Sequence, residues 1–196
     1  MKRLFDLIFS LIGLITCLPL LIFITILIKL DSKGSVFFIQ KRVGKNFKLF
    51  NLYKFRTMVA DASQRGLQIT ADGDPRITRV GRFLRKTKID ELPQIINVLK
   101  GDMSFVGPRP EVPKYVEMFR DDYKNILKVK PGITDYAAIE FRNEENVLKK
   151  FENPEEGYIK EVLPLKIKLY KKYIEDKNIF SDMKLIVLTL TKIVKG

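Results

Sequence analysis

Leu7-Ile8-Phe9-Ser10-Leu11-Ile12-Gly13-Leu14-Ile15-Thr16-Cys17-Leu18-Pro19-Leu20-Leu21-Ile22-Phe23-Ile24-Thr25-Ile26-Leu27-Ile28 is a run of 22 residues without a charged side chain, and its reading sets the architecture. Wound as a helix at 1.5 Å per residue it is about 33 Å long, enough to cross a hydrocarbon layer about 30 Å thick. A cleaved signal sequence carries a shorter apolar core that ends at small residues. Leu14-Ile15-Thr16 ahead of Cys17 lacks the small residues of a lipoprotein site, and the apolar run continues beyond it. The segment therefore reads as a retained membrane anchor.

Pro19 falls near the middle of this run, where it removes a backbone donor and bends a helix. Lys2 and Arg3 precede the run, and eight basic residues (Lys29, Lys33, Lys41, Arg42, Lys45, Lys48, Lys54, Arg56) against Asp31 follow it. Positive charge on both flanks draws both ends to the cytoplasmic side. On residues alone two topologies stand open, a simple span and a re-entrant hairpin bent at Pro19.

The rest of the chain carries the composition of a folded domain. Of 196 residues, 46% are hydrophobic and 30% charged, with 36 Lys plus Arg against 23 Asp plus Glu, for a net charge of +13. The absence of His and the single Cys17 exclude imidazole bases, the usual zinc sites and an internal disulfide. Chemistry rests on carboxylates, Lys, Arg, Tyr or hydroxyls.

Ser35 to Gln40 and Phe47 to Phe55 read as a strand pair around a Gly44-Lys45-Asn46 turn. Residues 61–81, with Asp72-Gly73-Asp74-Pro75, read as a loop. Helices are expected over 78–87, 91–100 and 113–127, with further helical character over 142–176. The stretch from Ser181 to Lys195 opens on a capping serine and reads as a core or membrane-surface helix. The fold class is α/β, mostly helical with a small sheet.

Candidate chemistry crowds between residues 76 and 111. Asp90-Glu91-Leu92-Pro93 precedes an apolar run that stops at Gly101, so a helix is expected to open near Asp90 and close before the glycine. Its free N–H groups, its dipole and the surrounding Arg and Lys then favour ionised carboxylates. An acidic cap accounts for the same residues as structure alone. Pro108 and Pro110 stiffen the backbone around Arg109, which suits bidentate phosphate binding. Carboxylates that can hold Mg²⁺ beside such Arg groups suit phosphoryl transfer from a nucleotide-type substrate.

Five segments in order then carry a resemblance: Lys54-Phe55-Arg56-Thr57-Met58, Ile89-Asp90-Glu91-Leu92-Pro93-Gln94, Asn97-Val98-Leu99-Lys100-Gly101-Asp102-Met103-Ser104, Gly107-Pro108-Arg109-Pro110 and Lys130-Pro131-Gly132-Ile133-Thr134. The chain resembles the bacterial sugar transferases, the small monotopic phosphoglycosyl transferases. The resemblance implies transfer of a phosphosugar from a UDP-sugar to a polyprenol (undecaprenyl) phosphate with release of UMP, the first membrane step of glycan assembly. It implies Asp90 as nucleophile and Mg²⁺ ligand, forming an aspartyl-phosphosugar intermediate, with Glu91 assisting. By position Arg85 and Arg109 become phosphate-binding groups, and Lys54 and Arg56 weaker candidates for the donor or acceptor head group.

The resemblance also implies a re-entrant helix over 1–33, bent near Pro19, on a catalytic domain over 34–196 with interfacial amphipathic helices. That places the protein on the cytoplasmic face of the bacterial inner membrane, in contact with membrane lipid. Leu18-Pro19 stands where the family has Ser-Pro, so the serine hydroxyl that would serve the broken turn is missing. After Thr134 the sequence departs from the common pattern, which makes Asp135, Glu140 and Arg142 candidates for sugar specificity. Two readings from other classes compete. Nucleic-acid binding fits poorly, because the basic residues are dispersed and no recognised motif is present. A noncatalytic scaffold on anionic lipid explains charge and anchor but leaves the Asp-Glu pair without a purpose.

Overall fold

The computed structural model describes residues 2–62, 70 and 73–195, without side-chain detail for 193–195. Residues 63–69, 71 and 72 of the loop expected over 61–81 therefore lie outside the described residues.

The apolar run forms one helix, α1 (Lys2–Asp31), with Pro19 inside it. Proline leaves the Ile15 carbonyl without its usual donor. Thr16, one turn earlier, turns its hydroxyl back onto the Ile12 carbonyl at 3.0 Å, a contact that bends helices. A hydroxyl is thus present one turn before the proline, bonded to the Ile12 and Gly13 carbonyls, although residue 18 is leucine. Both ends of α1 are tied to the same domain. At its start Arg3 donates to the Val98 and Leu99 carbonyls, and the buried Asp6 accepts from Ser104 Oγ at 3.0 Å and the Phe105 N–H at 3.2 Å. At its end Asp31 accepts from the Val80 N–H, while Arg56 donates to the Ser32 and Lys33 carbonyls at 2.7 Å each. Between these ties most of the large apolar side chains, Ile12, Ile15, Leu18, Ile22 and Phe23 among them, are exposed.

β1 (Phe37–Val43) and β2 (Leu49–Phe55) pair antiparallel, joined through a 3₁₀ turn at Lys45–Phe47. The expected pair is present, with its turn displaced by one residue. Asn46 and Phe47 take positive φ there, a conformation for which the sequence offers only Asn as a signal. α2 (Arg79–Thr87) follows, capped by Thr78, whose hydroxyl accepts from the Gly81 N–H. A 3₁₀ turn, Ile89–Glu91, then leads to α3 (Gln94–Lys100), which Gly101 ends at φ 92°. The helix expected to open at Asp90 thus starts four residues later, and Asp90 is no cap. Lys88 in the left-handed region ends α2 and turns the chain at that point.

β3 (Ser104–Val106) and β4 (Gly132–Thr134) form a second, parallel pair that three-residue strands 26 residues apart gave no way to foresee. Between them the expected 113–127 helix breaks at Phe119 into α4 (Pro113–Met118) and α5 (Arg120–Ile126). α6 (Tyr136–Glu140), α7 (Glu144–Leu148) and α8 (Pro154–Gly157) run through a π turn at Tyr158–Val162 into α9 (Leu163–Asp176). α10 (Ile179–Lys195) closes the described chain. Its cap is Asn178, whose Oδ1 accepts from the Ser181 N–H while Ser181 Oγ accepts from the Asn178 N–H. The capping serine expected at the helix start is the inner half of that box.

The main core lies between α4, α5, α6 and α9, around Tyr115, Tyr123, Ile126, Leu163 and Tyr170. β3 and β4 touch so closely that a Cβ on Gly132 would sit 2.1 Å from the Gly107 nitrogen. Gly132→Ala is therefore expected to cost about 2–3 kcal/mol, since the clash is with backbone and must part the strands. A lowered thermal midpoint in detergent checks it, and an unchanged midpoint contradicts the packing.

Candidate active site

The turn after Lys88 pushes Asp90 and Glu91 into a cavity of about 840 Å³ whose lining includes Lys54, Arg85, Arg109 and Arg142. Asn97 locks this arrangement. Fully buried, it accepts from the Tyr53 N–H at 3.0 Å and donates to the Asn51 carbonyl at 2.7 Å, pairing α3 with the edge of β2. Lys54 of β2 is thereby brought beneath Glu91, with its Nζ 2.9 Å from Oε1. Arg109 reaches Glu91 from the β3–α4 loop with both terminal nitrogens, a fork on one carboxylate.

These contacts separate the two carboxylates. Burial works to raise Glu91, but the Arg109 and Lys54 charges and hydrogen bonds overcome it and hold the carboxyl well below the usual range. Glu91 stays ionised, with both oxygens engaged, and handles no proton near neutral pH. Asp90 behaves oppositely. Burial pushes it up to about 6, against the pull of Lys54, and Oδ1 is buried without a hydrogen-bond partner. The expectation that a helix N-terminus would favour its ionised form fails, because α3 begins beyond it. Lys54 is itself lowered, by burial first.

Other expected residues are spread more widely. Arg85 lines the cavity, braced by Glu145 at 2.9 Å through Nε and by Thr57 Oγ1 at 3.3 Å. Arg56 borders the cavity too, but its guanidinium ties strand β2 to the end of α1, a structural task in place of the expected head-group contact. Asp135 does not line the cavity. It is fully buried, caps α6 through the Ala138 N–H and accepts from the Arg109 N–H at 3.1 Å, so it fixes the Arg109 backbone where a sugar contact was expected. Glu140 is exposed and also lies outside the lining. Arg142 does line the cavity, with Nη1 buried and unpartnered.

Sequence reasoning missed a second polar group in the same wall. Arg42 donates to the buried Glu111 at 2.9 Å, Tyr158 donates to the other Glu111 oxygen, and Lys166 joins Tyr158 to Glu144 at 3.1 and 2.8 Å. Its members lie up to 124 positions apart, and only the tertiary fold joins them. Among the described residues no three His, Cys, Asp or Glu side chains converge as a metal cluster. A cation here would draw on Asp90 plus oxygens of a substrate.

A profile of the family described as Bacterial sugar transferase matches residues 1–196. The chain is 46% identical over 143 residues to the UDP-N-acetylgalactosamine-undecaprenyl-phosphate N-acetylgalactosaminephosphotransferase of Aeromonas hydrophila, covering 70% of this chain and 33% of that protein. It is 37% identical to the UDP-glucose:undecaprenyl-phosphate glucose-1-phosphate transferase of Escherichia coli, over 98% of this chain and 40% of that one. The uncharacterized sugar transferase EpsL of Bacillus subtilis is 40% identical, with 98% and 87% covered. The chain thus spans a third to two fifths of the first two, and most of the third.

Proposed function

The chain belongs to the bacterial sugar transferase family, and from the geometry around Asp90 we propose that it moves a sugar phosphate from a UDP-sugar to undecaprenyl phosphate, releasing UMP. The observation that carries this is a buried carboxylate with a raised pKa and an unpartnered oxygen, in a cavity edged by Arg85, Arg109 and Lys54. An Asp90 oxygen attacks the sugar-bearing phosphorus. The P–O bond to UMP breaks, and its electron pair leaves on the UMP phosphate. A phosphate oxygen of the acceptor then attacks the same phosphorus, the Asp90–phosphorus bond breaks, and the carboxylate is restored.

Arg109 and Arg85 hold phosphate oxygens as charge shifts between them. Glu91 keeps Arg109 and Lys54 in place, with both of its oxygens engaged by them. Mg²⁺ fits this site: Asp90 would hold it, because its unpartnered carboxylate oxygen is the hard donor that ion prefers. When bound it neutralises charge on the departing phosphate.

A re-entrant α1 at the cytoplasmic face of the inner membrane agrees with the same contacts. A helix that crossed the bilayer would put its two ends on opposite sides, whereas Arg3, Asp6, Asp31 and Ser32 all bond one domain. The exposed Ile179, Phe180, Met183 and Val187 of α10 provide a second apolar surface for the interface.

The test is UMP release from a panel of UDP-sugars with undecaprenyl phosphate and Mg²⁺ in nanodiscs. Release with one donor, together with a polyprenyl-diphosphate sugar product, supports the reading. No release with any donor from folded protein overturns it. Because Asp90 must be ionised to attack, the first half-reaction is expected to fall about tenfold per pH unit below about 6. Asp135 is also raised to about 6 by burial. Asp135→Asn separates the two: the acid limb persists in that variant if Asp90 causes it.

A further inference from the structure

The cavity has two chemically distinct walls. The polar one, described above, suits phosphate, sugar and nucleotide. The apolar one is made by Leu92, which follows the Ile89–Glu91 turn, Ile95 of α3, Phe105 of β3, Ile133 of β4, and Ile186 and Leu190 of α10. This apolar wall starts two residues from Asp90 and continues to the membrane helix. Ile95 Cδ1 lies 3.6 Å from where a Cβ on Gly13 would be, and the Phe105 ring meets Phe5 edge-on with centroids 6.3 Å apart.

Phe105 also packs in the cluster that holds Ile186, so it lies between α1 and α10 as the floor of a seam. The seam's outer rims are exposed and apolar, Ile8 and Ile12 on α1 and Val187 and Leu190 on α10. Its inner end is pinned by Lys2, which donates to the Val106 carbonyl, Tyr173 and Asp182 at 2.9, 2.8 and 2.6 Å. A hydrophilic donor gains nothing from such a wall, whereas a hydrocarbon chain is stabilised along its whole length.

We propose that the seam between α1 and α10 seats the first isoprene units of the lipid acceptor, leading them from the surrounding lipid to a phosphate placed beside Asp90. This rests on the acceptor being a polyprenyl phosphate. The acceptor then reaches Asp90 sideways from the hydrocarbon layer, and its tail never passes through the head groups.

The test uses the full chain in nanodiscs and an undecaprenyl phosphate analogue with a diazirine on the isoprene next to the phosphate. Label is expected on peptides containing Ile95, Phe105, Ile186 or Leu190. Label confined to the Ile22–Ile26 part of α1, or spread evenly over exposed α1 and α10 as bulk lipid would leave it, overturns the proposal. Kinetics give a second measure, the ratio of kcat/KM for undecaprenyl phosphate over farnesyl phosphate. In Ile95→Ala and in Leu190→Gln, the latter a half-exposed position whose change leaves the fold intact, this ratio is expected to fall up to about tenfold. An unchanged ratio in both variants counts against the seam. If wild type transfers no sugar phosphate while the diazirine still labels the seam, the lipid seat stands and the transferase reading fails.

Discussion

Asp90→Asn is expected to stop UMP release, with a loss of about 10⁴–10⁶-fold, because the amide cannot attack phosphorus and no neighbour can substitute for it. Glu91, the adjacent carboxylate, has both oxygens fixed by Lys54 and Arg109. Trapping the wild-type enzyme with donor alone should add the mass of a phosphosugar to the Asp90 peptide, and the variant should show none. Stability is expected to move the other way. Asp90 is raised from 3.8 to about 6 by burial, so the folded state holds its proton more tightly than the unfolded chain. The stability linked to that proton is complete below about pH 4 and lost as pH rises through about 6. Above pH 7 the wild type carries the full cost, about 2–3 kcal/mol, and Asn does not. The variant should therefore melt higher than wild type at pH 7.5, with the gap closing toward pH 4. A variant that is inactive and also less stable at pH 7.5 would mean that Asp90 supports the fold and that its loss says nothing of chemistry.

The division between what was legible and what was not follows contact range. The uncharged run before Ile28 and the alternation from Phe47 to Phe55 are local patterns, and both produced the expected elements. The Asp90-Glu91 pair and Arg109 stand out in the sequence because Leu92-Pro93 and the flanking prolines punctuate them, and the structure places all three on one cavity. What each does there was not legible. Lys88 carries no mark of its left-handed φ, yet that turn, and no helix dipole, sets the environment of Asp90. The β3–β4 pair, the Glu111 cluster and the Asp135 contact with the Arg109 backbone depend on residues distant in sequence. Arg56 was already the weaker candidate beside Arg85 in sequence, but the Ser32 and Lys33 carbonyls that hold its guanidinium could not be read there.

Arg109→Ala is expected to destabilise the protein by about 3–5 kcal/mol, the cost of leaving a buried carboxylate without its fork. Glu91 is only 14% exposed and would keep Lys54 alone, itself short of solvent. The rate should fall about 10²–10³-fold at the same time, since the guanidinium that faces the cavity is one of those placed to hold a phosphate. Two further variants separate these effects. Glu91→Gln removes the charge that Arg109 neutralises, so Arg109→Ala in that background should cost less than in wild type, a coupling that a double-mutant cycle reads directly. Arg109→Lys keeps the charge but not the planar fork. It should recover much of the stability and little of the rate, because two oxygens must be held at once in the transition state. Equal recovery of both would mean that charge alone is needed there. In that case the prolines on either side of Arg109, and the Asp135 carboxylate on its backbone N–H, would be holding a direction that the reaction does not use.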